Sequence, residues 1–448
     1  MIIPVPIHSR KHRLFSIVGI ELLMLCLFFF VSCGEDRTYE YEEKTACDHW
    51  ILSTMKENYL WGDSIKEKKL DWKNFFSKPA TFFEKVTAFA PINDEFSWCA
   101  IDTLQEDYHM RGCFNHYNSY GIDYIVMSDP TGSTSRQYAR VMTVYPNSPA
   151  QRCGLERGDF IGMVDGTRFS SNINDKLIKG VARKLVVSKL GVNTETDEFV
   201  WNQTDTILME SSQYVVDEAF PVYKTFDTSY GRVCYLMCNR LTEGPTENSS
   251  NRTASSTEFR DEMIEYMSKI KNEKPYALIL DLRLCNYGTI SMAQTLASYL
   301  VSDVSSTSVF AKTIYRKSKS DLNTDYLYKS EGLSNNLGLK ELIVITSSYT
   351  QGAAEWLIRG VRASMGEEFL TIYGSTTAGQ IVLTDAIKSN YFVTLHPAVA
   401  YVADGESNYD YAKGIEPSDE IDERSYAFLY PYGNTSEVVL NYILQTLN

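Results

Sequence analysis

The sequence predicts a multi-domain α/β protein: a small N-terminal helical unit, a β-rich middle unit, and a C-terminal α/β unit built on a mainly parallel sheet. Three observations carry this. The 448 residues are too many for one ordinary domain. Short strand-like runs punctuated by Gly154, Gly158 and Gly166 occupy the middle of the chain. Beyond residue 275, apolar strand-like and helix-like runs alternate, as parallel sheets with right-handed crossovers require.

Composition narrows the function classes. Hydrophobic residues at 44% and aromatics at 13% exclude a disordered chain, and 30 Tyr point to wet, half-buried surfaces rather than a membrane bundle. A formal net charge of -14 argues against nucleic acid as a partner. At the N-terminus, Arg10, Lys11 and Arg13 precede the apolar run "LFSIVGIELLMLCLFFFV", which carries only Glu21 as a charge and ends at "FVSC". This is the pattern of a lipoprotein export signal over residues 1–33, with Cys33 lipidated and becoming the mature N-terminus. The competing reading is an uncleaved membrane anchor, because the run is near bilayer-spanning length. Both place the rest outside the cytoplasm, lipid-anchored at the outer membrane on its periplasmic or surface face in the first case. Cleavage removes three basic and one acidic residue, which takes the net charge to about -16. Of nine cysteines, Cys26 leaves with the signal and Cys33 carries lipid; the odd number remaining argues against a disulfide framework. Cys234 and Cys238 in "RVCYLMC" read as strand residues about 13 Å apart, too far to share a metal or a bond.

The N-terminal unit, residues 34–105, is read as helical. "CDHWILSTMKENYLW" puts Trp50, Ile51, Met55 and Tyr59 at helical spacing, with Asp48 as the expected N-cap. The middle unit, 106–215, contains "NSPAQRCGLERGDFIGMVDG": a Ser-Pro-Ala helix start, a Gly-Asp turn before a strand, and an Asp-Gly hairpin turn after it. This stretch resembles the PDZ domains of exported bacterial proteases. Such domains take an extended peptide as an added strand and hold its terminal carboxylate on backbone N–H groups. The resemblance makes Tyr120, Gly121, Ile122, Asp123 and Tyr124 the peptide-binding loop and leading strand; the alternative is an ordinary core strand. Between Leu241 and Thr257 a stretch rich in Ser, Thr, Asn and Gly reads as a solvated loop, followed by a helix from "EFRDEMIEYMSKIKN".

In the C-terminal unit, 216–448, "YALILDLR", "ELIVITSS" and "EFLTIYGS" read as strands and "ISMAQTLASYLV" and "AAEWLIRGVRASM" as helices. Functional loops of such sheets lie at the C-terminal strand ends, which singles out 281–288 and 347–355. "DLRLCNYG", "TQGAAE", "TAGQ" and "KGIEPSDE" together resemble the C-terminal processing peptidases, or tail-specific proteases. These are serine peptidases with a Ser/Lys dyad, usually a PDZ domain, and a ClpP/crotonase-like sheet. The resemblance spans nearly all of the mature chain, and it aligns Gly352 with the nucleophile and Gln380 with the general base. It also makes Glu355 a supporting residue and puts Tyr287 and Gly288 where the family has paired oxyanion-loop glycines.

The resemblance therefore implies a fold whose chemistry is missing. Glycine cannot form an acyl-enzyme, and an amide cannot take up the serine proton. The expected function is that of a non-catalytic polypeptide-binding pseudopeptidase that recognises polypeptides or protein C-termini. One alternative is an active serine endopeptidase with a displaced nucleophile, Ser347 or Ser348, and Lys388 as base. Another is a structural subunit of an outer-membrane assembly, docked on an outer-membrane protein. The six histidines, among them His109, His116 and His396, show no ligand spacing, so neither metal nor cofactor is expected. Asp281 and Arg283 are expected to tie the loop end of the sheet.

Overall fold

The computed structural model describes residues 38–101, 119–215, 218–245 and 256–448. Cys33, His109, His116 and residues 246–255 of the polar stretch lie outside them. The N-terminal unit is built on α1 (Thr38–Asn58) and α2 (Pro79–Thr87). The predicted stripe is buried: Ile51, Met55 and Tyr59 pack with Phe82, Phe83 and Val86. Asp48 is not the N-cap. The helix begins ten residues earlier, and Asp48 lies in its buried face, where loss of water pushes its carboxyl up to about 6 against the pull of Lys85.

A short strand, β1 (Trp98–Ile101), closes this unit. The middle unit is a β-sheet of β2 (Ile122–Ser128), β3 (Gln137–Val144), β4 (Phe160–Val164), β5 (Thr167–Arg168), β6 (Arg183–Val192) and β7 (Phe199–Met209). The order is β2-β3-β4-β6-β7 with β5 paired to β4, so β2 is an edge strand. The sequence signals account for its turns. Ser148 accepts a hydrogen bond from the Gln151 N–H and caps the one-turn helix α3 (Pro149–Arg152). Asp165 and Gly166, both at positive φ, make the β4–β5 hairpin turn.

The C-terminal unit opens with the antiparallel pair β8 (Tyr223–Thr228) and β9 (Gly231–Met237). The chain continues through α4 (Glu258–Glu273), β10 (Ala277–Asp281), α5 (Ile290–Leu300), β11 (Val309–Tyr315), β12 (Thr324–Leu327) and α6 (Ser330–Ser334). Then come β13 (Glu341–Thr346), α7 (Ala353–Met365), β14 (Leu370–Gly374), β15 (Val382–Thr384), β16 (Ile387–Lys388) and β17 (Val393–His396). It ends in β18 (Ala398–Asp404), β19 (Asp419–Glu420) and α8 (Val438–Thr446). The main sheet runs β19-β14-β13-β10-β9-β8, parallel except for β8. A second sheet, β12-β11-β18-β15, is antiparallel.

Both faces of the main sheet are covered, as buried parallel strands demand. Along β9 and just past it, Cys234, Leu236 and Cys238 face one core with α4, α5 and α7, while Val233, Tyr235 and Met237 face another with α8. The N-terminal unit is part of the first core. β1, which the sequence reading placed with the helical unit, pairs antiparallel with β17 (Trp98 opposite His396), and the two rings stack at 3.7 Å. Composition shows where chain character changes; it does not show which sheet a four-residue strand will join.

Candidate functional site

The loop between β13 and α7 is fixed before any functional side chain is considered. The Thr350 hydroxyl, fully buried, donates to the Leu282 carbonyl (2.9 Å), and the Gln351 N–H donates to the Cys285 carbonyl (3.0 Å). These bonds strap the loop onto the end of β10. Gly352 follows as the N-cap of α7, at φ 58° and ψ -113°. This is a strand-to-helix elbow in which an L side chain is strained by about 1–3 kcal/mol, the cost a nucleophile at such a turn must bear. A Cβ placed on Gly352 would stand 3.0 Å from Gln380 Oε1 and 3.4 Å from its Cδ. The two sequence-predicted positions are therefore face to face, 28 residues apart in the chain.

Glu355 holds them there. It is fully buried and accepts from the N–H groups of Gly352 (3.0 Å), Gly379 (2.6 Å) and Gln380 (2.8 Å) and from the Thr377 hydroxyl (2.5 Å). Burial pushes its carboxyl up to about 7, against these four hydrogen bonds. All four of these partners are groups of the protein, so Glu355 serves as a brace between the two loops. The Gln380 side chain is committed as well: its Oε1 accepts from Gln351 Nε2 (2.7 Å) and its Nε2 donates to the Val382 carbonyl (2.9 Å). Nothing at this pair of positions is nucleophilic or basic.

Gly288 lies against the elbow: a Cβ there would come within 2.6 Å of Ala353 Cβ and 2.7 Å of the Leu241 carbonyl oxygen. Only glycine allows that approach. Tyr287, the residue before it, has its carbonyl pinned by the Leu241 N–H (3.0 Å) and is 45% exposed. Ser347 is not poised for attack, since its hydroxyl donates to the Arg283 carbonyl (2.6 Å) and accepts from the Tyr349 N–H (3.0 Å). Ser348 is exposed, and Lys388 is exposed on β16, in a separate three-stranded sheet.

Asp281 and Arg283 do tie the loop end, within a larger ionic cluster that sequence reasoning missed. Arg283 reaches Asp281 (2.6 Å), Glu437 (2.8 Å) and Glu423 (2.5 Å), and Tyr235 donates to Asp281 (2.6 Å). Arg157, from the turn before β4, joins it by contacting Glu423 (2.8 Å) and the Tyr432 hydroxyl (2.7 Å). Both guanidiniums also lie over the Tyr432 ring, at 4.0 and 4.7 Å. Burial raises the Glu423 carboxyl, but Arg157 and Arg283 outweigh it and hold the group below the usual range. Arg140 of β3 donates to the carbonyls of Tyr426 (2.6 Å) and Ala427 (2.9 Å). The β-rich unit is thus bolted to the C-terminal segment. The only sequence trace of this is an arginine directly before the Gly-Asp turn.

Of the five residues singled out in the β-rich unit, Tyr120 and Ile122 are core. The Tyr120 N–H donates to the Ile178 carbonyl (3.3 Å) and the Gly121 N–H to Ser119 Oγ (3.2 Å), so both backbone donors have partners within the chain. Tyr124 donates to the Asn174 carbonyl (3.0 Å), bridging β2 to the turn after β5. Asp123 and Tyr124, with Ile125, line a cavity of about 200 Å³ shared with Arg283, Ser347, Ser348 and Tyr349. The edge strand of the β-rich unit and the loop before the elbow therefore meet across one space.

Comparison with known proteins agrees with this architecture. Residues 46–98 match the Peptidase S41 N-terminal domain, 140–188 a PDZ domain, and 235–421 Peptidase family S41. The chain belongs to peptidase family S41. A Bacteroides fragilis protein assigned to the S41 proteases is 27% identical, with a TM-score of 0.76 over 89% of this chain and 96% of that one. The photosystem II D1 C-terminal processing protease is 16% identical, with a TM-score of 0.49 over 90% of this chain and 97% of that one. No curated protein matches the sequence.

Proposed function

We propose that this chain is a non-catalytic member of the S41 family that binds polypeptides, or their C-termini, without cutting them. One observation carries the proposal: positions 352 and 380 face each other at side-chain contact distance, and they hold glycine and glutamine. The elbow, its buried Glu355 brace and the close-packed Gly288 are in place, and the groups that would perform acyl transfer are not. Loss of the nucleophile alone in a subtilisin-type triad costs about a million-fold in turnover. The hydrogen bonds of Ser347 and the separate sheet of Lys388 weigh against a displaced dyad.

Binding is assigned to edge strand β2 and the adjoining cavity, where an extended segment would add to the sheet. The "FVSC" signal supports lipid attachment at Cys33 and a place at the outer membrane, on its periplasmic or surface face. The test is hydrolysis of an unfolded protein substrate by the chain from Gly34, compared with Gly352→Ser combined with Gln380→Lys. The unmodified protein is expected to be inert while holding C-terminal peptides intact, and the double variant to gain measurable cleavage. Cleavage by the unmodified protein that Ser347→Ala or Ser348→Ala abolishes would overturn the proposal, as would the absence of any peptide affinity.

A further inference from the structure

The N-terminal unit carries an exposed aromatic cluster that neither the core nor the elbow uses. Tyr41 of α1, and Trp72 and Phe76 of the following 3-10 turn, are 39%, 61% and 46% exposed. They form one continuous surface: the Tyr41 and Phe76 rings meet edge-on at 5.6 Å, and Trp72 and Phe76 at 6.0 Å. Lysines flank its Trp72–Phe76 side, whereas the turn of α1 that carries Tyr41 bears Glu40, Glu42 and Glu43 against Lys44. Residues 66–78 contain Lys66, Lys68, Lys69, Lys73 and Lys78, all exposed, against Glu67 and Asp71, a local charge of about +3 in a chain of net charge -14. Lys73 Nζ sits 5.7 Å above the Trp72 ring. Glu67 is already paired with Lys56 (2.8 Å) and Glu40 with Lys44 (3.7 Å).

We infer that this surface docks on the phospholipid headgroup layer of the membrane that carries the protein's lipid; the inference rests on the proposed attachment at Cys33. Chain geometry makes the contact close. Four residues separate Cys33 from the start of α1 at Thr38, a reach over five Cα steps of at most about 17 Å, and Tyr41 lies nearly one helical turn further, about 5 Å. Tyr41 is therefore held within about 22 Å of the lipidated residue whatever path the chain takes, with the Phe76 and Trp72 rings following at successive separations of 5.6 and 6.0 Å. Tryptophan and tyrosine rings favour the headgroup layer, where an apolar body and a polar tip are both accommodated, and lysines there meet phosphate. The acyl group would hold the protein at the membrane; the aromatic cluster would set its orientation, because one lipid is a swivel and a second contact is not.

The experiment reconstitutes the mature protein in vesicles of phosphatidylethanolamine and phosphatidylglycerol with brominated acyl chains and reads tryptophan quenching. Trp72 is the only exposed tryptophan among the described residues. Quenching is expected in the unmodified protein, to fall severalfold in Trp72→Ala, and to weaken in Phe76→Ala, which keeps the reporter and removes its ring neighbour. A mass measurement of Cys33 separates the two ideas. Acylated protein whose Trp72 is not quenched overturns this inference and leaves the anchor standing; quenching without acylation supports the surface and overturns the anchor. Loss of quenching together with a dimer that buries Trp72 would assign the cluster to a second copy of the chain and overturn the inference.

Discussion

Replacing Arg157 with methionine tests how the PDZ domain is held against the peptidase domain. The Arg157 side chain is 4% exposed and makes four hydrogen bonds: to Glu423 (2.8 Å), the Tyr430 carbonyl (2.9 Å), the Met142 carbonyl (2.6 Å) and the Tyr432 hydroxyl (2.7 Å). The cluster it completes sets two guanidiniums, Arg157 and Arg283, against the carboxylates of Asp281, Glu423 and Glu437. Methionine keeps much of the volume and leaves buried Asp281 and Glu437 and half-buried Glu423 facing one cation, which costs about 3–5 kcal/mol. A pH signature accompanies it. In the unmodified protein Glu423 is held below its ordinary value, so its contribution is present above the unfolded pKa and is lost as pH falls through the folded one. Without Arg157 the Glu423 carboxyl rises toward its unfolded value, so the stability that Glu423 contributes above that value and its loss on acidification both shrink, and the gap between variant and parent narrows as pH falls. Urea unfolding at pH 7 and about pH 4, with hydrogen exchange over residues 423–432, reads both effects. A variant within about 1 kcal/mol of the parent, with unchanged exchange there, would refute the claim that this cluster holds the two domains together.

Two further outcomes follow from the elbow. Burial raises Glu355 to about 7, so the folded state keeps this proton to higher pH than the unfolded chain does; stability present below about pH 4 is lost as pH rises toward 7, on the order of 3 kcal/mol. Glu355→Gln should remove that pH dependence in unfolding titrations and destabilise by about 1–3 kcal/mol or more, because its NH₂ would face backbone N–H donors; an unchanged profile would show that Glu355 does not titrate there. Gly288→Ala would drive a methyl against Ala353 and the Leu241 carbonyl and should cost about 1–3 kcal/mol by thermal unfolding, and a neutral result would show that the loop moves aside freely.

Much of this protein was legible in the chain itself. The alternation of apolar runs beyond residue 275 specifies parallel strands and crossover helices because each element must bury a face of fixed period. The Ser-Pro-Ala and Asp-Gly signals mark turns through local backbone chemistry alone. The absence of Ser and Lys at 352 and 380 is also a matter of sequence once Thr350 and Glu355 anchor the alignment. Tertiary structure decided what depends on distant partners. Asp48 looked like a cap because side chains that cap helices and side chains buried in them are the same few types; only the packing of α1 on α2 distinguishes the two. The pairing of β1 with β17 was not legible because four residues carry too little pattern to name a partner strand 295 positions away. The Arg157–Arg283–Glu423–Glu437 cluster was invisible because ionic contacts have no period: its members come from turns and chain ends, and only folding places them within 3 Å or so of one another. The same holds for the site itself, whose residues were nameable from the chain but whose face-to-face geometry exists only once β13, α7 and the loop after β14 are packed around Glu355.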